Sequence, residues 1–228
     1  MTELSTQNRI LLTEDVVWVE GKTNFWKELS MRRARKLLCG LTLSIALGTG
    51  AAGASTFSRV GLDYLVAENE TIVVGEVVGA RSYWNQSKTF ILTDVRIAVS
   101  EVLKGSLETR DITVTVPGGK VGELTSVIVG GAQLVPGDWY VLFLRQGDLL
   151  GTRGVRYVRD HSQGVFHLEI AGDGVRAVSQ ARRLELMPDA AGTRDPVGGA
   201  EGMPFTALIE AVRELAGRER NVSQEVQP

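Results

Sequence analysis

The chain contains two imidazoles and one thiol, so few of its side chains can ligate a transition metal or move protons near neutral pH. The imidazoles are His161 and His167. On one straight strand, six residues at ~3.3 Å each would set them roughly 20 Å apart, too far to share an ion. Only a sharp turn at Ser162-Gln163-Gly164 would bring them together. His167 also alternates with Phe166, Leu168 and Ile170 and shares a face with Glu169. The two expectations are a pair of surface or loop histidines, or a hydrolase-like or metal-dependent enzyme using His161 and His167. The sequence has no HExxH, no CxxC and no Gly-x-Ser-x-Gly elbow to support the second. Gly118-Gly119-Lys120-Val121-Gly122 lacks the order of a phosphate loop and is not followed by a helix, so a loop with a solvated lysine is expected. No catalytic residue, metal ligand or cofactor is assigned.

Aromatic and basic side chains point instead to recognition. Tyr83, Trp84 and Asn85 fall in a polar stretch between two strong strand patterns. Arg145 and Arg156, with Arg153 and Arg159, concentrate positive charge around Tyr157. Stacking on the rings and bidentate contacts from guanidinium groups suit a protein or glycan partner in the cell envelope or outside the cell. The alternative is that Trp84 caps the core and the arginines form a solvated edge.

The compartment is read from residues 31–54. Met31-Arg-Arg-Ala-Arg-Lys36 is basic, Leu37 to Leu47 is a short apolar run, and Ala52-Gly53-Ala54 closes with small residues. These are the three parts of a secretory signal, with cleavage expected after Ala54. An uncleaved anchor over residues 37–54 is the alternative, but a span needs ~20 mostly apolar residues. Residues 1–30 precede the signal, and Lys27-Glu28 can be encoded as a ribosome-binding sequence shortly before Met31. Met31, rather than Met1, is therefore the expected start, and 1–30 an upstream extension. Cys39 leaves with the signal, so the exported chain is expected to have no thiol or disulfide chemistry. Residues 55–228 hold 18 Lys and Arg against 22 Asp and Glu. That balance disfavours nucleic acid as a partner. The whole chain, 43% hydrophobic and 23% charged, has an ordinary globular composition.

The remaining patterns describe what must position these residues. A short helix is expected over Leu62–Glu68. Thr71–Val78 reads as a buried strand, Gly79–Ser87 as a loop, and Phe90–Leu103 as a long half-buried strand. Further strands are expected at Ile112–Val116, Trp139–Leu144, Val165–Ile170 and Val175–Val178, with Glu123–Val129 a weaker apolar run and Val155–Val158 a short candidate strand. Residues 188–203 read as a flexible linker, 204–217 as an amphipathic helix through Phe205, Leu208, Ile209, Val212 and Leu215, and 218–228 as a disordered tail. The expected fold is mainly β: a small OB-like barrel or sandwich of six to seven strands over residues 55–187, with a helix before the first strand and another at the C-terminus.

Several stretches occur in an order that resembles secreted bacterial domains with an OB-like barrel, similar to the netrin-like module of tissue inhibitors of metalloproteinases. They are Ile72-Val73-Val74-Gly75-Glu76-Val77, then Val102-Leu103-Lys104-Gly105, then Pro136-Gly137-Asp138-Trp139-Tyr140-Val141-Leu142-Phe143-Leu144. The resemblance covers Leu62 to Arg145 and implies a fold. Those inhibitors chelate the protease zinc through an N-terminal cysteine. The expected N-terminus here is Ser55, so the inhibitory chemistry does not carry over. Together these readings give an exported, non-enzymatic binding or structural domain, with Tyr83, Trp84, Asn85, Arg145, Arg156 and Tyr157 as contact residues and no stable membrane span after cleavage.

Overall fold

The computed structural model describes residues 10–13, 16–20, 57–184, 186–187, 197–199 and 201–225. The signal segment 31–54 and the Ala54–Ser55 junction lie outside the described residues, as does most of the expected linker. The strands are β1 (Ile10–Thr13), β2 (Val16–Glu20), β3 (Phe57–Ser58), β4 (Thr71–Trp84), β5 (Ile91–Lys104), β6 (Asp111–Pro117) and β7 (Gly119–Val121). They continue with β8 (Leu124–Ile128), β9 (Trp139–Leu149), β10 (Thr152–Val158), β11 (Val165–Ala171), β12 (Gly174–Ser179), β13 (Leu186–Met187) and β14 (Met203–Pro204). Helix α1 spans Leu62–Glu68 and α2 spans Phe205–Glu225, and 3-10 turns occupy His161–Gly164 and Gln180–Arg183. The fold is mainly β, with a short helix ahead of β4 and a C-terminal helix.

The main sheet has the order β10-β6-β5-β4-β9-β11-β12-β14, and β10 pairs with β9 as well as with β6. All its neighbours are antiparallel except β6 and β10, which are parallel. A second sheet has the order β1-β2-β8-β7. Strand β9 faces two cores at once, because successive side chains leave a strand on opposite sides. Val141 and Phe143 pack with α1, α2, Phe166 and Ala177. Tyr140, Leu142 and Leu144 pack with Val95, Ile97, Val99, Ile112, Val114 and Val116. The described residues of both clusters fall between Val60 and Ala216.

Several elements differ from expectation. The described residues between 57 and 187 form eleven strands, β3 to β13, rather than six to seven. Gly119–Val121, expected in a loop, forms β7 and pairs with β8. Strand β4 runs through Trp84 where a loop was expected from Gly79. Strand β5 supplies a partner for every step from Gly79↔Arg96 to Trp84↔Ile91, and the three register shifts of the β4–β5 ladder all fall between Ile72 and Gly79. Helix α2 continues past Gly217 to Glu225 rather than ending there. Beyond the glycine, Glu219 pairs with Lys104 at 2.6 Å, and Arg218 pairs with Glu214 one turn back at 2.6 Å. Residues 10–13 and 16–20, given no element in advance, form two strands, the second of which pairs with β8 from Val16↔Ile128 to Glu20↔Leu124.

Candidate functional site

The six residues singled out for recognition are distributed over several places. Tyr83 is the penultimate residue of β4, and its hydroxyl donates to Asp94 Oδ1 at 3.0 Å, where Thr115 Oγ1 also donates at 2.7 Å. Burial, helped by the Asp94 carboxylate, pushes the Tyr83 phenol above its usual range. Trp84, also in β4, lies opposite Ile91. Asn85 is buried and serves its own loop: Oδ1 accepts from the Thr89 and Phe90 N–H groups at 2.9 and 3.2 Å, and Nδ2 donates to Leu150 O at 2.8 Å. Arg145 and Tyr157 are brought together as cross-strand partners, with Arg156 opposite Gln146. The Arg145 guanidinium reaches Glu68 at 3.4 Å, and Arg159 reaches the same carboxylate at 2.6 Å. None of the six lines the polar cavity described next.

That cavity, about 430 Å³, opens where β9, β11 and the 3-10 turn at Gln180–Arg183 meet the loop after β8. Its floor follows from local chemistry. Pro136-Gly137 is a turn with Gly137 at φ +90°, which a residue with a Cβ rarely adopts. The Asp138 N–H closes the turn onto Val135 O at 3.1 Å, and the Gly137 N–H ties it to Val77 O at 2.8 Å. Strand β9 then begins, and Tyr140 faces His167 of β11 as a direct cross-strand partner, ring centroids 5.1 Å apart.

The polar groups form a chain. The Tyr140 hydroxyl donates to Asp138 Oδ2 at 3.3 Å and accepts from the Val135 N–H at 3.2 Å. Burial raises the Tyr140 phenol, the Val135 N–H opposes that, and Asp138 adds to it. His167 Nε2 lies 3.5 Å from Asp138 Oδ2, and its Nδ1 lies 3.3 Å from Glu169 Oε1. Arg182 Nη2 donates to that same Glu169 oxygen at 3.2 Å. Across the mouth, the Gln180 side-chain amide clasps the backbone of Gln133: Nε2 donates to Gln133 O at 2.5 Å, and Oε1 accepts from the Gln133 N–H at 3.0 Å.

The two histidines separate. His161 sits in the 3-10 turn after Asp160, both residues at φ +58°, and does not line the cavity that His167 lines. Each ring nitrogen of His167 faces a different carboxylate, so Asp138 and Glu169 flank the imidazole instead of converging with it on one point. Among the described residues no group of three or more His, Cys, Asp or Glu side chains is arranged to hold a metal ion. Ser162 and Ser179 line the same cavity, but neither hydroxyl is hydrogen-bonded to His167; Ser179 Oγ caps the following turn by accepting from the Ala181 N–H at 3.2 Å. The arrangement can therefore orient a polar ligand between fixed donors and acceptors.

Sequence reasoning missed this site because its members come from the loop after β8, the start of β9, β11 and a 3-10 turn. One signal was present. His167/Glu169 is an i, i+2 pair within one strand and so shares a face, and Asp138 stands two residues before Tyr140 where the turn enters β9. Among the described residues no helix is long and apolar enough to cross a membrane. Set against protein-family models and curated proteins, the chain matches none.

Proposed function

We propose that this is an exported, non-enzymatic binding domain on an OB-like barrel, with the Tyr140–His167 cavity as its ligand site. The barrel reading is supported by the closed circuit of pairings β4-β5-β6-β10-β9-β4 with a single parallel contact, and by the resemblance carried by β4, β5 and β9. Export is supported by the basic, apolar and small-residue pattern of residues 31–54. The observation that carries the binding reading is the cavity itself. Its size falls within the ~300–1,000 Å³ typical of ligand pockets. Its polar lining is fixed by mutual hydrogen bonds before any ligand arrives. The enzyme reading through His161 and His167 gains less support, because His167 has a carboxylate at each ring nitrogen and no serine hydroxyl bonded to it.

The test is capture of envelope components on the immobilised protein, comparing wild type with Glu169→Gln. Recovery of a component by wild type, reduced about tenfold by the substitution, is the expected result. Equal recovery by both proteins would remove the cavity from the reading. Stoichiometric zinc in the purified protein that is lost in His167→Ala would favour the enzyme.

A further inference from the structure

We propose that the ligand is an extended polypeptide segment, which adds as an antiparallel strand to the edge of β8 and delivers a basic side chain into the Tyr140–His167 cavity. The inference rests on reading that cavity as the binding site and names what fills it.

The edge comes first. Strand β8 is flanked by β7 on one side and by Val16–Glu20 on the other. The latter lies within the expected upstream extension and ahead of the expected cleavage after Ala54, so the exported domain would lack it and present a row of unpaired N–H and C=O groups, a template for another strand. The position accepts an antiparallel strand over five residues, Val16↔Ile128 through Glu20↔Leu124. Val127 and Val129 beside it are about half exposed, as suits a partner with alternating apolar side chains.

Direction links edge to cavity. Beyond Ile128 the chain passes through Val129 to Gly130 and Gly131, and Ile128 and both glycines line the cavity. Extending the register, residues that precede the added strand fall opposite Val129 and Gly130. The N-terminal end of such a ligand therefore meets the cavity mouth. There the Gln133 backbone already holds an amide, the side chain of Gln180, through one donated and one accepted hydrogen bond. A peptide group presents the same pair of atoms.

Charge selects the side chain. Asp138 engages only Oδ2 and Glu169 only Oε1, so Asp138 Oδ1 and Glu169 Oε2 make no hydrogen bond among the described residues. Among the described lining residues Arg182 is the only Lys or Arg. The surplus is of acceptors, which calls for a cationic donor.

The probe is a labelled peptide with the sequence of Thr13–Lys22, and the same peptide with Asp15→Lys. Binding is read by fluorescence anisotropy on the intact chain, on the intact chain with Val17→Pro, and on residues 55–228. Proline within the ladder cannot donate its hydrogen bond and frees the edge without shortening the chain. Both freed forms, with native circular dichroism, should bind at least about tenfold tighter than the wild-type chain. The Asp15→Lys peptide should bind about tenfold tighter than its parent, and Glu169→Gln in the freed chain should abolish that preference. No binding to either freed form overturns the proposal, and so does equal affinity for the two peptides. If the peptides stay inert while Glu169-dependent capture of an envelope component persists, the polypeptide assignment fails and the cavity remains the binding site. If that capture is absent too, both fail.

Discussion

Asp160 shows most plainly what a single buried charge does here. Its backbone sits at φ +58°, a region that Asn and Asp tolerate better than most residues. Its side chain is 20% exposed, and Oδ2 is buried without a hydrogen-bond partner. Burial pushes the carboxyl above its ordinary value, and this outweighs the opposing pull of Arg159 and His161. With the folded pKa above the unfolded one, folding favours the protonated acid. The ionised carboxylate therefore costs stability, and the cost grows as pH rises through the folded pKa. Asp160→Asn keeps the shape and the φ preference and removes the charge. Arg159 keeps its shorter pair, Glu68 at 2.6 Å against 3.8 Å for Asp160. At pH 7 the variant should gain about 1 kcal/mol, an upward shift of ~2–4 °C in Tm. Near pH 3 the advantage should disappear. A lower Tm at pH 7 would show that the Arg159 contact outweighs desolvation.

Strand β4 holds β5 on one side and β9 on the other, and at Gly75 there is no room for a side chain against β5. A Cβ there would lie 2.6 Å from Ile97 Cγ2 and 2.8 Å from Ala98 O, and the second is backbone that cannot rotate away. Gly75→Ala should therefore cost about 2–3 kcal/mol in urea unfolding, at the upper end of the range for overpacking. A loss under about 0.5 kcal/mol would mean the strands part at no cost. This glycine also marks how much of the sheet was legible. The first half of β4 was, because Ile72, Val73, Val74 and Val77 form an apolar run that only a strand buried on both faces uses. The second half was not, because Arg81, Ser82, Tyr83 and Trp84 are held by cross-strand bonds such as Ser82 Oγ to Thr93 Oγ1 at 2.9 Å, which leave no hydrophobic period. The C-terminal turns of α2 escaped for a related reason: Lys104, more than a hundred positions away, holds Glu219, and a window along the chain cannot see it. The candidate site was the least legible part. Its pairing of Tyr140 with His167 depends on the register of β9 against β11, which tertiary packing decides.

The molecule as a whole has two cores that share strands. Val141 and Phe143 of β9 face the helices, while Tyr140, Leu142 and Leu144 face β5 and β6. In β4, Ile72 and Val74 divide from Val73 and Val77 in the same way. Neither core can come apart while the other keeps β4 and β9 in place, so the two should unfold as one unit despite their separate side chains. Leu208 of α2 tests this, because it is fully buried in the helix-side core and absent from the other. Leu208→Ala should cost ~2–5 kcal/mol through lost burial and the cavity left behind. If the cores are coupled through the shared strands, amide exchange in β5 and β6 should speed up by the same free energy as exchange in α2, although no atom near β5 or β6 has changed. If α2 loses protection while β5 and β6 keep theirs, the helix is a separable layer and the shared strands do not transmit its stability. The coupled outcome would also place the Tyr140–His167 cavity under the same control. Tyr140 belongs to the β5–β6 core, and its strand neighbours Val141 and Phe143 belong to the helix side, so a weakened helix contact should loosen the cavity floor in step with the rest of the domain.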